Sequence, residues 1–225
     1  MFLLITDTSG GQGRVALARA GEDGRIEIIE EAPLSGGAFS AQLVPQIAML
    51  LEKHALSKAD VDAFVVVSGP GSFTGLRVGL AGIKALAEIL RKPIVPVSLL
   101  EVIAQAGRHE GKVVAALDAG RGEVYAGEYD ITAQSAKVCQ EKLVSKNEFL
   151  SLRNGSVIAT PVPSLAEAAK AAKIPVLVID EIRSEMIAQV GWKKLRAGET
   201  VTPEKLEANY IRHTDAEIFA KPSSS

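Results

Sequence analysis

The sequence predicts an α/β fold, arranged as one domain or two small lobes, on three observations. Runs of β-branched residues that read as buried strands alternate with long amphipathic stretches that read as helices. An apolar strand ending in Asp, a turn of small residues and a second strand occur twice, once at 3–7 with 15–19 and again at 113–118 with 124–129. The composition is 47% hydrophobic, 23% charged and only 4% aromatic over 225 residues, as expected of a globular chain with an aliphatic core.

Residues 2–7 form the first expected strand. A small-residue loop at 8–13 leads to a second strand at 15–19, and a turn at 21–24 leads to a third at 26–30. Residues 39–54 place Phe39, Leu43, Ile47, Leu50 and Leu51 on one side of a helix, with Pro45 as a kink or first-turn residue. A β-branched strand at 63–67 ends in the loop 68–72, and a long helix follows at about 73–90. Pro93 and Pro96 then lead through a short strand into a helix at 99–106. At Val113 the opening plan returns. Beyond Asp130 the pattern weakens, with strands at 157–160 and 176–179 and helical stretches near 164–172 and 182–189. The repeated strand–Asp–turn–strand unit suggests internal duplication. Because Asp and Gly favour turns in any fold, two unrelated hairpins give the same pattern.

Composition also excludes some functions. A net charge of -2 lacks the Lys/Arg excess with which a protein grips nucleic acid by itself. One cysteine, Cys139, forms no internal disulfide, and three histidines add too little for a zinc or iron–sulfur cage of about four ligands. The opening MFLLITDTSGG has no basic lead and does not read as a signal peptide. No stretch approaches the ~20 apolar residues of a membrane span. The expectation is a cytoplasmic protein with no membrane contact.

The run Ser68-Gly69-Pro70-Gly71-Ser72-Phe73-Thr74-Gly75-Leu76-Arg77-Val78-Gly79 is the strongest local signal. A buried strand enters Gly-Pro-Gly, and Ser72 is placed to cap the next helix through its free N–H groups. Those groups also attract anions, so structural capping and phosphate binding both remain open. The run lacks the Gly-Lys-Ser/Thr ending of a P-loop and the spacing of a dinucleotide fingerprint. Nor is Ser72 a hydrolase nucleophile: the elbow motif needs Gly two residues either side, where Pro70 and Thr74 stand.

Around the helix axis Gly75, Gly79 and Gly82 fall within an arc of about 60°. Each interior glycine costs ~1 kcal/mol of helix stability relative to alanine, so three of them imply close packing. Together with Leu76, Leu80 and Ile83, the apolar and glycine positions span roughly 200°, wider than the ~100° that one-sided burial needs. The helix at 39–54 has a similar surplus. Two such helices either cover each other within the fold or together offer a docking face to another subunit.

The opening Asp7-Thr8-Ser9, the run GPGSFTGLRVG at 69–79, the segment Leu117-Asp118-Ala119-Gly120-Arg121-Gly122-Glu123-Val124-Tyr125 and the closing Asn209-Tyr210-Ile211-Arg212 resemble the bacterial TsaB family, the YeaZ-type proteins of tRNA threonylcarbamoyladenosine synthesis. The likeness covers residues 1–130 best. It implies the duplicated two-lobe fold of the actin, sugar-kinase and Hsp70 superfamily, with a reduced second lobe. The expected division is 1–100, completed by a C-terminal helix near 206–220, then 101–205 and a loose tail at 221–225.

The resemblance further implies a non-catalytic subunit. It pairs with the catalytic paralogue TsaD and, with the ATPase TsaE, supports threonylcarbamoyl transfer to N6 of adenosine 37 in tRNAs reading codons that begin with A. It forms a homodimer when alone and meets tRNA only indirectly. Where the paralogue carries a metal-binding His-x-x-x-His, this chain has Leu99 and Ile103. Its three histidines, His54, His109 and His213, form no such pair. The expected partner face is Phe39, Leu43, Ile47, Leu50, Gly75, Leu76, Gly79, Leu80, Gly82 and Ile83. No cofactor of its own is expected, with ATP or ADP entering only at the level of the complex. Asp7, Thr8, Ser9 and Asp118 are the candidates for nucleotide contact, because superfamily kinases hold Mg-phosphate at such aspartates; hydrogen bonding within the hairpin turns is the competing role. The alternative functions are a small ATP-dependent kinase of the same superfamily and, with no His pair to support it, a metalloprotease.

Overall fold

The computed structural model describes residues 1–133, 135–152 and 155–211. Ten strands and six α-helices follow one another among these residues. The first sheet contains β1 (Phe2–Asp7), β2 (Gln12–Ala20), β3 (Ile26–Ser35), β4 (Val61–Gly69) and β5 (Ile94–Ser98), in the order β3-β2-β1-β4-β5. The second contains β6 (Gly111–Gly120), β7 (Glu123–Ile131), β8 (Ala136–Ser145), β9 (Val157–Thr160) and β10 (Val176–Val178), in the order β10-β9-β6-β7-β8. Read from the other edge, the second order is the first one repeated. In both sheets the leading hairpin strands are antiparallel and the last two strands are added in parallel. Two unrelated hairpins do not produce this agreement across five strands; internal duplication does.

The helices repeat as well. α1 (Phe39–Lys53) and α4 (Lys146–Ser151) each follow a third strand, and α2 (Phe73–Leu90) and α5 (Pro163–Ala171) each connect two parallel strands. α4 has 6 residues against 15 in α1, and α5 has 9 against 18 in α2, so the second lobe is the reduced one.

α1 and α2 cover the outer face of the first sheet, where Leu4, Val15, Leu17, Phe64 and Val66 meet Phe39, Leu43, Ile47, Leu80 and Ile83. α4 and α5 cover the outer face of the second, over Val114, Ala116, Val124 and Ile158. Each lobe's final helix crosses to the other sheet. α3 (Leu99–Ala106) packs Leu100, Ile103 and Ala104 on Val113, Ala115 and Tyr129, whereas α6 (Ser184–Arg196) packs Ile187, Ala188 and Trp192 among Leu3, Ile5, Ala16 and Val65. α6 falls within 101–205, and it packs on the first sheet and on α3. Gly191 makes this approach possible: a Cβ there would stand 2.5 Å from a Val65 methyl.

Residues 206–211 carry no helix, so the expected C-terminal helix does not begin at 206. Asn209 N donates to Ser68 O at 2.7 Å, the Tyr210 and Ile211 N–H groups close tight turns onto Ala208 O and Asn209 O, and Leu206 is buried in the outer core of the first lobe, so these groups are used outside a helix. The rest of that expected helix, Arg212, His213 and the tail at 221–225 lie outside the described residues.

Candidate functional site

The β1–β2 turn lies beneath the start of α2. Asp7 is buried, and its Oδ1 accepts hydrogen bonds from the Ser9 backbone N–H at 2.9 Å and the Ser9 hydroxyl at 2.6 Å. Ser72 N donates to Ser9 O at 2.7 Å, and Ser72 Oγ accepts from Gly75 N at 3.3 Å, the capping role. Gly75 rests on the Thr8 carbonyl and Gly79 on Thr8 Oγ1, so closely that a Cβ on either glycine would overlap those atoms. Gly82 receives the side chain of Leu43 instead. The glycine arc of α2 is therefore a seat for a turn and a helix of its own chain. Asp118, at the equivalent end of β6, is exposed and accepts from Gly120 N at 3.0 Å. Both aspartates brace their own turns through a bond to the residue two positions on.

The ten positions expected to form the partner face point the other way. Phe39, Leu43, Ile47, Leu50, Leu80 and Ile83 belong to the outer core of the first lobe; Leu76, Gly75 and Gly79 are buried and Gly82 is partly covered. A helical wheel finds the apolar side of a helix without finding what lies against it, and in this chain the first sheet lies against these positions. The outward surface of the pair is a neighbouring set. α1 exposes Ala41, Val44, Ala48 and Met49, and α2 exposes Ala81, Ala85 and Ile89, the last with 77% of its surface in solvent. At i+3 and i+4 spacing Ala41, Val44 and Ala48, with Met49 beside them, and Ala81, Ala85 and Ile89 make an uncharged row on each of two packed helices. Arg77 and Glu88 flank the row on α2.

A polar cluster joins the lobes at the carboxyl ends of β4 and β5, the end at which open α/β sheets form crevices. Glu141 of β8 is its centre. Its Oε1 accepts from Ser98 Oγ at 2.5 Å and from the Tyr129 hydroxyl, and its Oε2 accepts from the Asn209 side-chain amide. A cavity of about 420 Å³ opens beside it, lined also by Glu101 and Lys194, which pair at 3.2 Å. Burial pushes the Glu101 carboxyl above the usual range, and Lys194 offsets only part of that rise. Burial and the adjacent Glu141 carboxylate hold the Tyr129 hydroxyl protonated at any ordinary pH. Sequence reading missed this cluster because its members are up to 111 residues apart, from Ser98 to Asn209, and only Asn209 fell within a noted motif.

Leu99 and Ile103 are buried among aliphatic neighbours. His54 lies elsewhere, 2.7 Å from Glu30. Among the described residues no three His, Cys, Asp or Glu side chains are grouped as a metal site requires. No helix among them is long and apolar enough to cross a membrane.

Residues 34–182 match the model of the TsaD family, tRNA N6-adenosine threonylcarbamoyltransferase. The chain is 38% identical over 130 residues to a Bacillus subtilis protein named tRNA threonylcarbamoyladenosine biosynthesis protein TsaB, covering 57% of this chain and 55% of that one. It is 36% identical over 132 residues to the Escherichia coli protein of the same name, again covering 57% and 55%. The chain thus spans about half the length of the curated relatives it matches. The solved structure of YeaZ from Pseudomonas aeruginosa superposes with a TM-score of 0.73 at 25% identity, over 93% of this chain and 99% of that one. The repeated sheet order and this superposition give the fold as the actin, sugar-kinase and Hsp70-like duplicated α/β fold with a reduced second lobe. With two thirds of its length under the family model, the chain belongs to the TsaD family, and within it to the TsaB/YeaZ proteins.

Proposed function

We propose that this chain is a non-catalytic partner subunit in the synthesis of tRNA threonylcarbamoyladenosine. It docks through α1 and α2 onto a TsaD-type catalytic paralogue, works with a TsaE-type ATPase, and pairs with a second copy of itself when alone. The observation that carries the proposal is the pair of uncharged outward rows on α1 and α2, above inner faces already filled by the chain's own core. Val44, Met49 and Ile89 are 46%, 61% and 77% exposed, an arrangement a second helix pair is suited to cover. The names of the curated relatives support the pathway. The aliphatic pair Leu99 and Ile103 supports a chain without the paralogue's metal chemistry, and the bond from Ser9 to Asp7 supports a turn that braces the fold rather than holding Mg-phosphate. On this reading ATP or ADP acts in the assembly rather than on the isolated chain, and tRNA is met through the catalytic subunit.

The test is co-purification with the TsaD-type paralogue. Ala85→Arg and Ile89→Glu alter exposed positions and leave the core intact, so both variants should keep the wild-type circular dichroism spectrum and lose the paralogue. Retention of the paralogue by both folded variants would refute docking through this face.

A further inference from the structure

On the other side of the first sheet from α1 and α2, the crossing helices α3 and α6 enclose a cavity of about 370 Å³ that the partner reading does not use. Its volume lies within the ~300–1,000 Å³ of small-molecule sites. Val102 and Val190 are buried in its wall, with half-buried Met186 beside them. Its rim carries three cations from three places in the chain: Arg108 just after α3, Arg183 just before α6, and Lys193 two turns along α6.

These charges are not matched locally. Among the described residues neither Arg108 nor Arg183 has a salt bridge, and Lys193 donates only to the neutral Gln105 at 3.0 Å. One carboxylate lines the cavity, Glu185, and it already accepts from Gln189 at 3.2 Å. Three positive charges against one negative charge around a part-apolar hollow are an arrangement that an anion would complete, since guanidinium groups bind phosphate and carboxylate through paired, charge-assisted hydrogen bonds.

We propose that this cavity binds a small organic anion whose phosphate or carboxylate head sits between Arg108, Arg183 and Lys193 and whose apolar body rests on Val102, Met186 and Val190. Because α3 lies on the second sheet and α6 on the first, such a ligand bridges elements of both lobes while leaving the α1–α2 face free.

The test uses the whole chain and four probes that separate head from body: phenyl phosphate, benzoate, inorganic phosphate and phenol. Titration calorimetry should show one saturable site for phenyl phosphate or benzoate, with a Kd of about 0.1–1 mM as expected for so small a ligand. Inorganic phosphate and phenol should each bind about tenfold more weakly. Whichever of the two amphipathic probes binds more tightly identifies the head group. In nuclear magnetic resonance spectra the side-chain amides of Gln105 and Gln189 should shift with the same midpoint. Arg108→Glu and Arg183→Glu alter exposed residues, should leave the fold unchanged by circular dichroism, and should each weaken binding about tenfold or more. Absence of saturable binding by both amphipathic probes would overturn the proposal. So would binding that the two charge reversals leave unchanged, or that inorganic phosphate alone reproduces.

Discussion

Adding one methyl group to Gly75 or to Gly79 tests how α2 is seated, and the two positions should respond differently. In a free helix Gly→Ala gains up to ~1 kcal/mol. At Gly79 the new Cβ would overlap Thr8 Oγ1 and lie 3.3 Å from Thr8 Cβ, on a side chain buried to 99% and so with little room to turn. Overpacking of this kind costs ~1–3 kcal/mol, which leaves a net loss of about 1 kcal/mol. At Gly75 the overlap is with the Thr8 backbone carbonyl, and Phe39 Cε2 is 3.2 Å away on the other side. Neither neighbour yields easily, and a glycine in the first helical turn gains less from propensity, so the net loss should be about 3 kcal/mol. Urea unfolding followed by the fluorescence of Trp192, the single tryptophan, reads both values from α6 on the far side of the same sheet. The second substitution Thr8→Ala makes the comparison decisive. It removes the atom that Gly79→Ala strikes and should recover that loss, with a coupling of about 1 kcal/mol. It cannot relieve Gly75→Ala, whose clash is with backbone. If Gly75→Ala were as stable as the wild type, or if Thr8→Ala rescued both variants alike, the seat described for α2 would be wrong.

Two further outcomes concern the junction of the lobes. Glu141→Ala leaves the hydroxyls of Ser98 and Tyr129 and the amide of Asn209 without their shared acceptor, and should cost about 2–4 kcal/mol in urea unfolding; Glu141→Gln keeps one acceptor oxygen and should cost less. Glu101 supplies a pH dependence. Its carboxyl holds a proton more tightly in the folded chain than at the ordinary value of 4.5, so the folded state binds more protons and its stability falls as pH rises from 4.5 through the raised folded pKa. Relative to the wild type, Glu101→Gln should therefore gain stability across that window and hold a constant difference above it; an advantage that shrinks as pH rises would contradict the assignment.

The strands that sequence patterning located well are those buried on both faces. β1, β4 and β6 show continuous apolar runs because helices lie on either side of each sheet, and the Asp that ends β1 and recurs in β6 marks the duplication. β8 escaped notice for the opposite reason: it is an edge strand with residues such as Lys137, Cys139 and Gln140 exposed, so neither alternation nor a long apolar run is required of it. α6 runs seven residues past its expected end, because Gly191 and the Lys193–Lys194 pair hide a helix that closes on Val65. The surplus apolar width of α1 and α2 was legible, and so was the need for close packing at Gly75, Gly79 and Gly82. Which side of that width meets the sheet was not, since a wheel holds no information about the neighbour. The Glu141 cluster depends on contacts between distant residues, which leave no local periodicity.

The account rests on the outward rows of α1 and α2 being an attachment surface, and mass measurement in solution tests this most directly. The pure wild-type chain should run at twice its monomer mass of 23.7 kDa and move into a mixed species when the TsaD-type paralogue is added. Folded Ala85→Arg should stay at the monomer mass in both conditions. A wild-type chain that is monomeric alone and ignores the paralogue, or an Ala85→Arg chain that assembles as the wild type does, would contradict the account.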